Sequence, residues 1–470
     1  MIDLYDVIVI GAGSAGLTAS ITLGEVGKKV ALIERERIGG DCTWTGCIPS
    51  KALLKVARTA HAARIAPQFG IDTSAPVVDM RVVRDHLQTV IQEVYQFETP
   101  EQVSKRGVEV ILGEAKFLDA HTIQVGERQL SASKIVIASG GRAAVPSIAG
   151  LESVRYHTNA SLFDNDRLPV HFLVMGAGPI GLEMAQAYAR LGARVTVIGE
   201  QLLGRDEPEA GAVIRQVLTR EGVTFIESRV ERVSGSGDDI TLHLKNGQSV
   251  NGDMLLVAVG RAPNIDTLNL ERAGVAYTAQ GITVNAQLQT NVPHIYAVGD
   301  VTTGPKFTHY AGFQGGVAAR NALIPLGRGN GHDEALPWVT FTEPEVAHVG
   351  LTEAQAREKY GGQVKTFTLP MHDGDRAVAE RDTDGFVKLV YRGGSELLGA
   401  TVVAGRAGEM ITEYTLVIKK KISLSGLNSI IHPYPTYSDI AKKAISNLLL
   451  REFKAGRTWS VLRWLVKRLP

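Results

Sequence analysis

The chain opens on Asp6-Val-Ile-Val-Ile10, an uninterrupted apolar run rich in β-branched residues. Such a run, closed by glycine, predicts a short strand buried on both faces of a parallel sheet. Gly11-Ala-Gly-Ser-Ala-Gly16 follows, then a helix-period segment over Leu17–Gly27, then Lys29-Val-Ala-Leu-Ile-Glu34 as a second strand. The same order returns later. His171–Met175 reads as a strand, Gly176, Gly178 and Gly181 as the turn, Leu182–Gly192 as the helix and Ala193–Glu200 as the second strand. The two glycine motifs start 165 residues apart. That period is too long for a solenoid and predicts two separate dinucleotide-binding domains. Lys134–Gly141, Asp253–Arg261 and Ile295–Asp300 read as further strands whose carboxyl ends face bound nucleotide. From Trp338 the pattern becomes that of an antiparallel sheet with helices, hence a third domain. The expected fold class is α/β: two Rossmann-like domains followed by an α+β domain.

Composition narrows the function. Lys plus Arg is 50 and Asp plus Glu is 49 in 470 residues, a net charge of +1. A protein that coats nucleic acid needs clustered positive charge, so none is expected as a partner. Two cysteines rule out a disulfide-stapled secreted fold. The first residues carry no basic n-region and run straight into a strand, and no apolar stretch reaches the length of a spanning helix. The expected location is the cytoplasm.

In the first glycine motif, Gly11 serves the tight turn, Gly13 the close approach to a pyrophosphate and Gly16 the helix–strand packing. The pyrophosphate then meets free N–H groups at a helix start. Glu34, at a strand end 23 residues on, is placed to bind ribose hydroxyls. Gly176, Gly178 and Gly181 take the same roles in the second motif. Its strand ends Ile198-Gly199-Glu200, and an acid there favours NADH by repelling a 2′-phosphate. Glu200 sits one residue late and Arg205 follows, so NADPH stays open, as does a plain surface acid. Two dinucleotide sites in one chain suggest FAD and NAD(P)H, with hydride passing between their rings.

The two cysteines, Cys42 and Cys47, sit in GGDCTWTGCIPSK. Two randomly placed cysteines fall this close in only about 2% of chains of this length, which flags a pair. An undistorted helix separates i and i+5 by about 7.5 Å along its axis, whereas a disulfide needs Cα atoms roughly 4.4–6.8 Å apart. Bonded cysteines therefore require irregular backbone here, which Gly46 and Pro49 allow. A redox pair is favoured; zinc and two unrelated thiols are the alternatives. Lys51, four residues past Cys47, faces the same way on a helix and can reach a flavin or support a thiolate. Glu183 is an unusual acid in a close-packed helix start, and a Lys51–Glu183 pair near the nicotinamide is one reading. For both, the plainer reading is a surface charge at a helix end.

With these residues in place, the sequence resembles the flavoprotein disulfide reductases, which include lipoamide dehydrogenase, glutathione reductase and mercuric reductase. The resemblance covers residues 1–450. GAGSAG with Glu34 is similar to the FAD site, GGDC…GCIPSK to the redox-active disulfide and Ser139-Gly140-Gly141 to the second glycine stretch. GAGPIGLE is similar to the nicotinamide site. VGRAPN, with Arg261, and AVGD, with Asp300, are similar to further flavin-contact segments; by that resemblance Asp300 binds the ribityl chain. The domains implied are FAD-binding at 1–150 and 266–335, NAD(P)-binding at 151–265 and dimerisation at 336–450, in a homodimer.

The implied mechanism passes hydride from NAD(P)H to FAD, which reduces the Cys42–Cys47 disulfide. Cys47 then faces the flavin and Cys42 attacks a small disulfide, a lipoyl group or a thiophilic metal ion; no resident metal is expected. Relatives of the lipoamide and glutathione type carry a His-Pro-Thr and a later Glu near the C-terminus, the His acting across the dimer interface. Here the segment is Ile431-His-Pro-Tyr-Pro-Thr-Tyr-Ser-Asp439, so Tyr434 takes the His position and Asp439 the Glu position. A phenol with pKa near 10 shuttles protons poorly at neutral pH, and His432 is the substitute on offer. Mercuric reductases also carry Tyr near this position, but with extra C-terminal cysteines and a metal-carrying N-terminal domain not seen here.

Residues 451–470 form a basic amphipathic tail, in which Arg457, Arg463, Lys467 and Arg468 alternate with Trp459, Leu462, Trp464, Leu465, Val466 and Leu469. That pattern suits a helix at the inner face of a membrane or on a membrane-bound partner, or equally a helix packed on the protein body. Two other functions compete with the reductase. One is an NADH oxidase or diaphorase with regulatory cysteines; the other is a tail-docked redox-sensing partner.

Overall fold

The apolar run at the start of the chain forms the middle of a mixed sheet and is paired in parallel on both sides. In the computed structural model, which describes residues 2–324 and 329–466, Ile2–Ile10 pairs with Val30–Glu34 on one side and Arg128–Ile137 on the other. The full strand order is Val108–Leu112, Val30–Glu34, Ile2–Ile10, Arg128–Ile137, Thr122–Val125 and Ala115–Phe117, with Ile295–Ala297 also pairing to Arg128–Ile137. Val7, Ile8, Val9 and Ile10 are all buried, as both covered faces require. The helix Ser14–Glu25 and the later helix Thr308–Leu323 pack on one face.

Residues 1–176, 187–198 and 228–333 make up one compact unit; residues 177–186, 199–227 and 334–470 make up the other. The first unit carries a second parallel ladder of Arg194–Ile198, His171–Met175, Met254–Val257 and Tyr156–His157, in that order. A three-stranded antiparallel sheet, Val230–Ser236, Asp239–Leu244 and Ser249–Gly252, completes it.

Three predicted strands are shorter or broken. Asp253–Arg261 contains a strand only over Met254–Val257; the chain then turns at Gly260 (φ +146°), and Arg261–Pro263 pairs instead with Gly141–Ala143. Of Lys134–Gly141, only Lys134–Ile137 is strand, as the end of the longer Arg128–Ile137, and Gly141 opens the short strand Gly141–Ala143. Ile295–Asp300 stops at Ala297, because Gly299 donates its N–H to the side chain of Gln314 and opens a 3₁₀ turn over Gly299–Val301.

The second unit holds the antiparallel sheet expected from Trp338 onward, with Pro337–Thr340, Glu345–Gly350, Glu396–Ala404, Phe386–Arg392 and Val364–Pro370 side by side. The helices Ala407–Lys420 and Asp439–Ala455 share its core through Met410, Ile411, Tyr414, Ile445 and Leu448. Lys388, 3% exposed, lies 3.0, 2.7 and 2.9 Å from the carboxylates of Glu207, Glu209 and Glu353. The three carboxylates converge on its ammonium, which supplies their cation.

The tail is helical over Arg457–Val466, and Trp459 meets Phe453 edge to face. Trp464, Leu465 and Val466 are exposed. Lys467, Arg468 and Leu469 lie outside the described residues. Among the described residues no helix is long and apolar enough to cross a membrane.

Candidate active site

The first glycine loop is built by close approach. Gly11 has φ +100°, and a Cβ there would sit 2.4 Å from the Ala138 carbonyl oxygen; one at Gly16 would sit 1.8 Å from the Gly11 carbonyl oxygen. At Gly13 the space is open, the nearest heavy atom to a Cβ being 3.9 Å away. Gly13 is the N-cap of Ser14–Glu25, with no side chain capping the helix start. Free N–H groups beside open space suit a pyrophosphate. Glu34 closes the loop: its carboxylate accepts the Ala12 N–H and the Glu36 N–H, each at 2.8 Å.

Cys42 and Cys47 lie on two helices separated by a break. Cys42 is in Gly40–Trp44 and Cys47 opens Cys47–Ile65. Gly46 sits between them because a Cβ there would be 2.7 Å from the Asp41 carbonyl oxygen. The irregular backbone brings the two thiols within hydrogen-bonding reach of each other. Hydrogen bonding to Cys47 and burial push the Cys42 thiol upward, while the Thr308 hydroxyl pulls the other way. Thr308 Oγ1 is 3.3 Å from Cys47 Sγ. Cys47 begins a 19-residue helix and Thr308 a 16-residue one, so both helix starts favour negative charge at the pair. Lys51 lies one turn past Cys47 on the same helix, with Nζ 3.4 Å from Ser50 Oγ.

The second glycine stretch is clasped to VGRAPN. Ser139 Oγ donates to the Asn264 carbonyl at 2.8 Å, Asn264 Nδ2 returns a bond to the Ser139 carbonyl at 3.0 Å, and the Asn264 N–H donates to the Gly140 carbonyl at 3.0 Å. Arg261 fans out from this clasp. Its Nε meets Asp300 Oδ2 at 2.9 Å, and its Nη2 donates to the Gly141 carbonyl at 2.9 Å and to Asp41. The two carboxylates hold the guanidinium charged despite its burial.

The second glycine motif repeats the first. Gly176 has φ +115°, and a Cβ there would sit 2.3 Å from the Ala258 carbonyl oxygen. Gly178 faces open space before the helix Pro179–Leu191, in which Gly181 is buried. Buried Glu183 accepts the Phe341 N–H at 2.9 Å, and Glu200 is exposed just past the strand end.

Near the C-terminus the side chains sort by direction. The His432 ring is buried, with Nε2 2.7 Å from Glu413 and Nδ1 3.2 Å from the Ile430 carbonyl. With both nitrogens facing acceptors, the imidazole anchors the segment. Tyr434 is 68% exposed and donates its hydroxyl to Asp375 at 2.8 Å. That bond to a carboxylate raises the phenol above its ordinary pKa, with Asp439, at the start of the last long helix, adding to the effect. Asp41, Thr308, Glu413 and Asp375 escaped sequence reasoning. Each partner is distant in the chain, so no local spacing marks it.

Two nucleotide-type loops and a close cysteine pair define a flavoprotein disulfide reductase. The chain belongs to the pyridine nucleotide-disulphide oxidoreductases: the family model matches residues 5–315 and that of the family's dimerisation domain matches residues 336–445. A mercuric reductase of Bacillus cereus is 38% identical over 449 residues, 94% of this chain and 71% of that protein. A dihydrolipoyl dehydrogenase of Geobacillus stearothermophilus is 32% identical over 457 residues, covering 93% and 95%. The solved HOCl-induced flavoprotein disulfide reductase RclA from Escherichia coli matches with a TM-score of 0.83 and 28% identity over 94% of this chain and 99% of that one. The protein is therefore an NAD(P)H-dependent flavoprotein disulfide oxidoreductase that uses FAD.

Proposed function

We propose that Cys42 and Cys47 are the redox pair through which this enzyme reduces a small disulfide, a lipoyl group or a thiophilic metal ion. The carrying observation is the pair itself: two thiols within hydrogen-bonding reach across a helix break, with the Thr308 hydroxyl 3.3 Å from Cys47 Sγ. FAD, when bound, would supply the two-electron chemistry that links the nicotinamide to the disulfide. The chain's residues hold and orient. Gly11, Gly13, Gly16 and Glu34 cradle the FAD pyrophosphate and ribose; Ser139, Gly140, Arg261 and Asp300 line the flavin side. Gly176, Gly178, Gly181 and Glu200 take the nicotinamide cofactor, and the exposed Glu200 favours NADH. Lys51 and Glu183 supply charges on the flavin and nicotinamide sides.

Cys47 would lie on the flavin side of the pair, and Cys42 would attack the acceptor as its thiolate. Tyr434, exposed and bonded to Asp375, offers a hydroxyl to the substrate in a homodimer, while His432 and Asp439 support its segment. The tail adds a peripheral contact with an anionic membrane surface, supported by the exposed Trp464 beside Arg463. Loss of vesicle co-sedimentation on removing residues 457–470 tests that contact.

Anaerobic titration with NADH, followed in the visible spectrum, tests the main reading. A long-wavelength thiolate-to-flavin band at the first reducing equivalent, absent in Cys47→Ser, is expected. Bleaching in a single step without that band would overturn the reading and leave an oxidase-type path.

A further inference from the structure

Residues 199–207 run into the helix Pro208–Arg220 and lie against the second glycine motif. A Cβ at Gly199 would sit 2.8 Å from the Cβ of Ala177, and the Leu203 N–H donates to the Ala177 carbonyl at 3.1 Å. Leu203 does so with φ +47°, a left-handed conformation that a leucine keeps only where its surroundings impose it. Leu202, Leu203 and Glu207 are buried, whereas Glu200 and Arg205 are exposed. One side of the loop is therefore anchored. The other carries an acid and a guanidinium, the two groups that choose between ribose hydroxyls and a 2′-phosphate.

The anchors come from far along the chain. Glu207 is held by Lys388 Nζ at 3.0 Å and accepts the Glu353 N–H at 2.6 Å. Just before it, the Asp206 N–H donates to the Leu203 carbonyl at 2.8 Å and closes a turn. The Asp206 carboxylate accepts the Trp338 indole N–H, also at 2.8 Å. Trp338 lies in the strand Pro337–Thr340, and its ring packs on that of buried His348, 4.5 Å between centroids. His348 is fixed in turn, with Nδ1 2.7 Å from Thr401 Oγ1.

We propose that Trp338 is a positioning residue for the nicotinamide cofactor: through Asp206 it holds residues 199–205 in the conformation that presents Glu200 and Arg205 to the adenosine ribose. This rests on the reading of the second glycine motif as the nicotinamide-cofactor site. Ala177 fixes one end of the loop and Lys388 the other; the indole N–H ties down the turn between them. A cofactor that needs the ordered loop has its apparent dissociation constant raised as the ordered fraction falls. The loop serves the adenosine end, so hydride transfer at the ring is spared.

The test uses the full-length FAD-loaded enzyme in anaerobic stopped flow. Flavin reduction is followed against the concentration of NADH and, separately, of NADPH, and the cofactor that the wild type binds more tightly is used for comparison. Each series gives an apparent Kd and a limiting rate. Trp338→Phe keeps an aromatic ring and loses the N–H. Its apparent Kd should rise about two- to tenfold, the range one hydrogen bond sets, with a far smaller change in limiting rate. Asp206→Ala breaks the same bond from the other side and should match it. Asp206→Asn, whose amide oxygen still accepts the indole N–H, should bind as the wild type does. Gly178→Val fills the open space beside the glycine motif and tests the underlying reading, which fails if that variant binds cofactor normally. If Gly178→Val weakens binding and Asp206→Ala does not, the inference fails, and Asp206→Ala alone decides it should Trp338→Phe not fold. A limiting rate that falls as far as affinity, or loss of flavin, also overturns it, since general loosening has that signature.

Discussion

Replacing Thr308 by Val removes one hydroxyl and nearly nothing else. The side chain keeps its branched shape, and the backbone of residue 308 stays held by the Ser14 hydroxyl, which donates to its carbonyl at 3.1 Å. The lost oxygen lies 3.3 Å from Cys47 Sγ. When Cys47 is a thiolate, the hydroxyl is the donor and stabilises the charged form. A hydrogen bond to a charged group contributes about 1.5–3 kcal/mol, and a diffuse sulfur anion belongs at the lower end. At 1.36 kcal/mol per pH unit, the midpoint for thiolate formation rises by about one unit in Thr308→Val. The assay is a pH titration of the long-wavelength band in enzyme reduced by one equivalent of NADH. The band should appear at higher pH in Thr308→Val and return to its original range in Thr308→Ser. A Thr308→Val midpoint equal to that of the wild type, with flavin retained, would refute the reasoning that this hydroxyl supports the thiolate.

Other expectations follow from the same geometry. Gly16→Ala places a methyl 1.8 Å from the Gly11 carbonyl oxygen and should yield protein purified without flavin, read as the ratio of flavin to protein absorbance. Lys388→Met leaves the buried Glu207 without its counter-ion and should lower stability by about 3–5 kcal/mol in urea denaturation; an unchanged midpoint would show the cluster to be neutral. Burial raises the Asp206 pKa to about 6 although its carboxylate accepts the Trp338 indole N–H. A folded pKa above the unfolded one means that the stabilisation is present below about pH 4 and is lost as pH rises through about 6. Asp206→Asn should therefore be more stable than the wild type at pH 8, by up to about 3 kcal/mol, with the gap closing towards pH 4; equal stability at both pH values would count against the buried charge.

Much of this molecule is written in local order. The DVIVI and HFLVM runs, the glycines that follow them and the acids at the next strand ends lie within thirty or so residues of one another, and strand, turn and helix form from that spacing alone. The closeness of Cys42 and Cys47 and the break at Gly46 belong to the same class, because five residues and a glycine already limit where the two thiols can go. The identity of the family was legible for the same reason.

What the sequence left open is what depends on distant partners. Thr308 is 261 residues from Cys47, Arg261 220 from Asp41 and Glu413 19 from His432. Period and propensity carry no information about such pairs. The sequence offered His432 as a stand-in acid/base; folding turned its ring onto Glu413 and left Tyr434 facing outward. It drew single strands through Gly260 and Val298, where a turn at one glycine and the Gln314 side chain end the ladder. Sequence alone determined which elements and cofactor loops exist, because short-range sterics and hydrophobic periodicity fix them. Only the tertiary structure decided which charges and hydroxyls surround the cysteines, because electrostatic fields are set by distance in space and not along the chain.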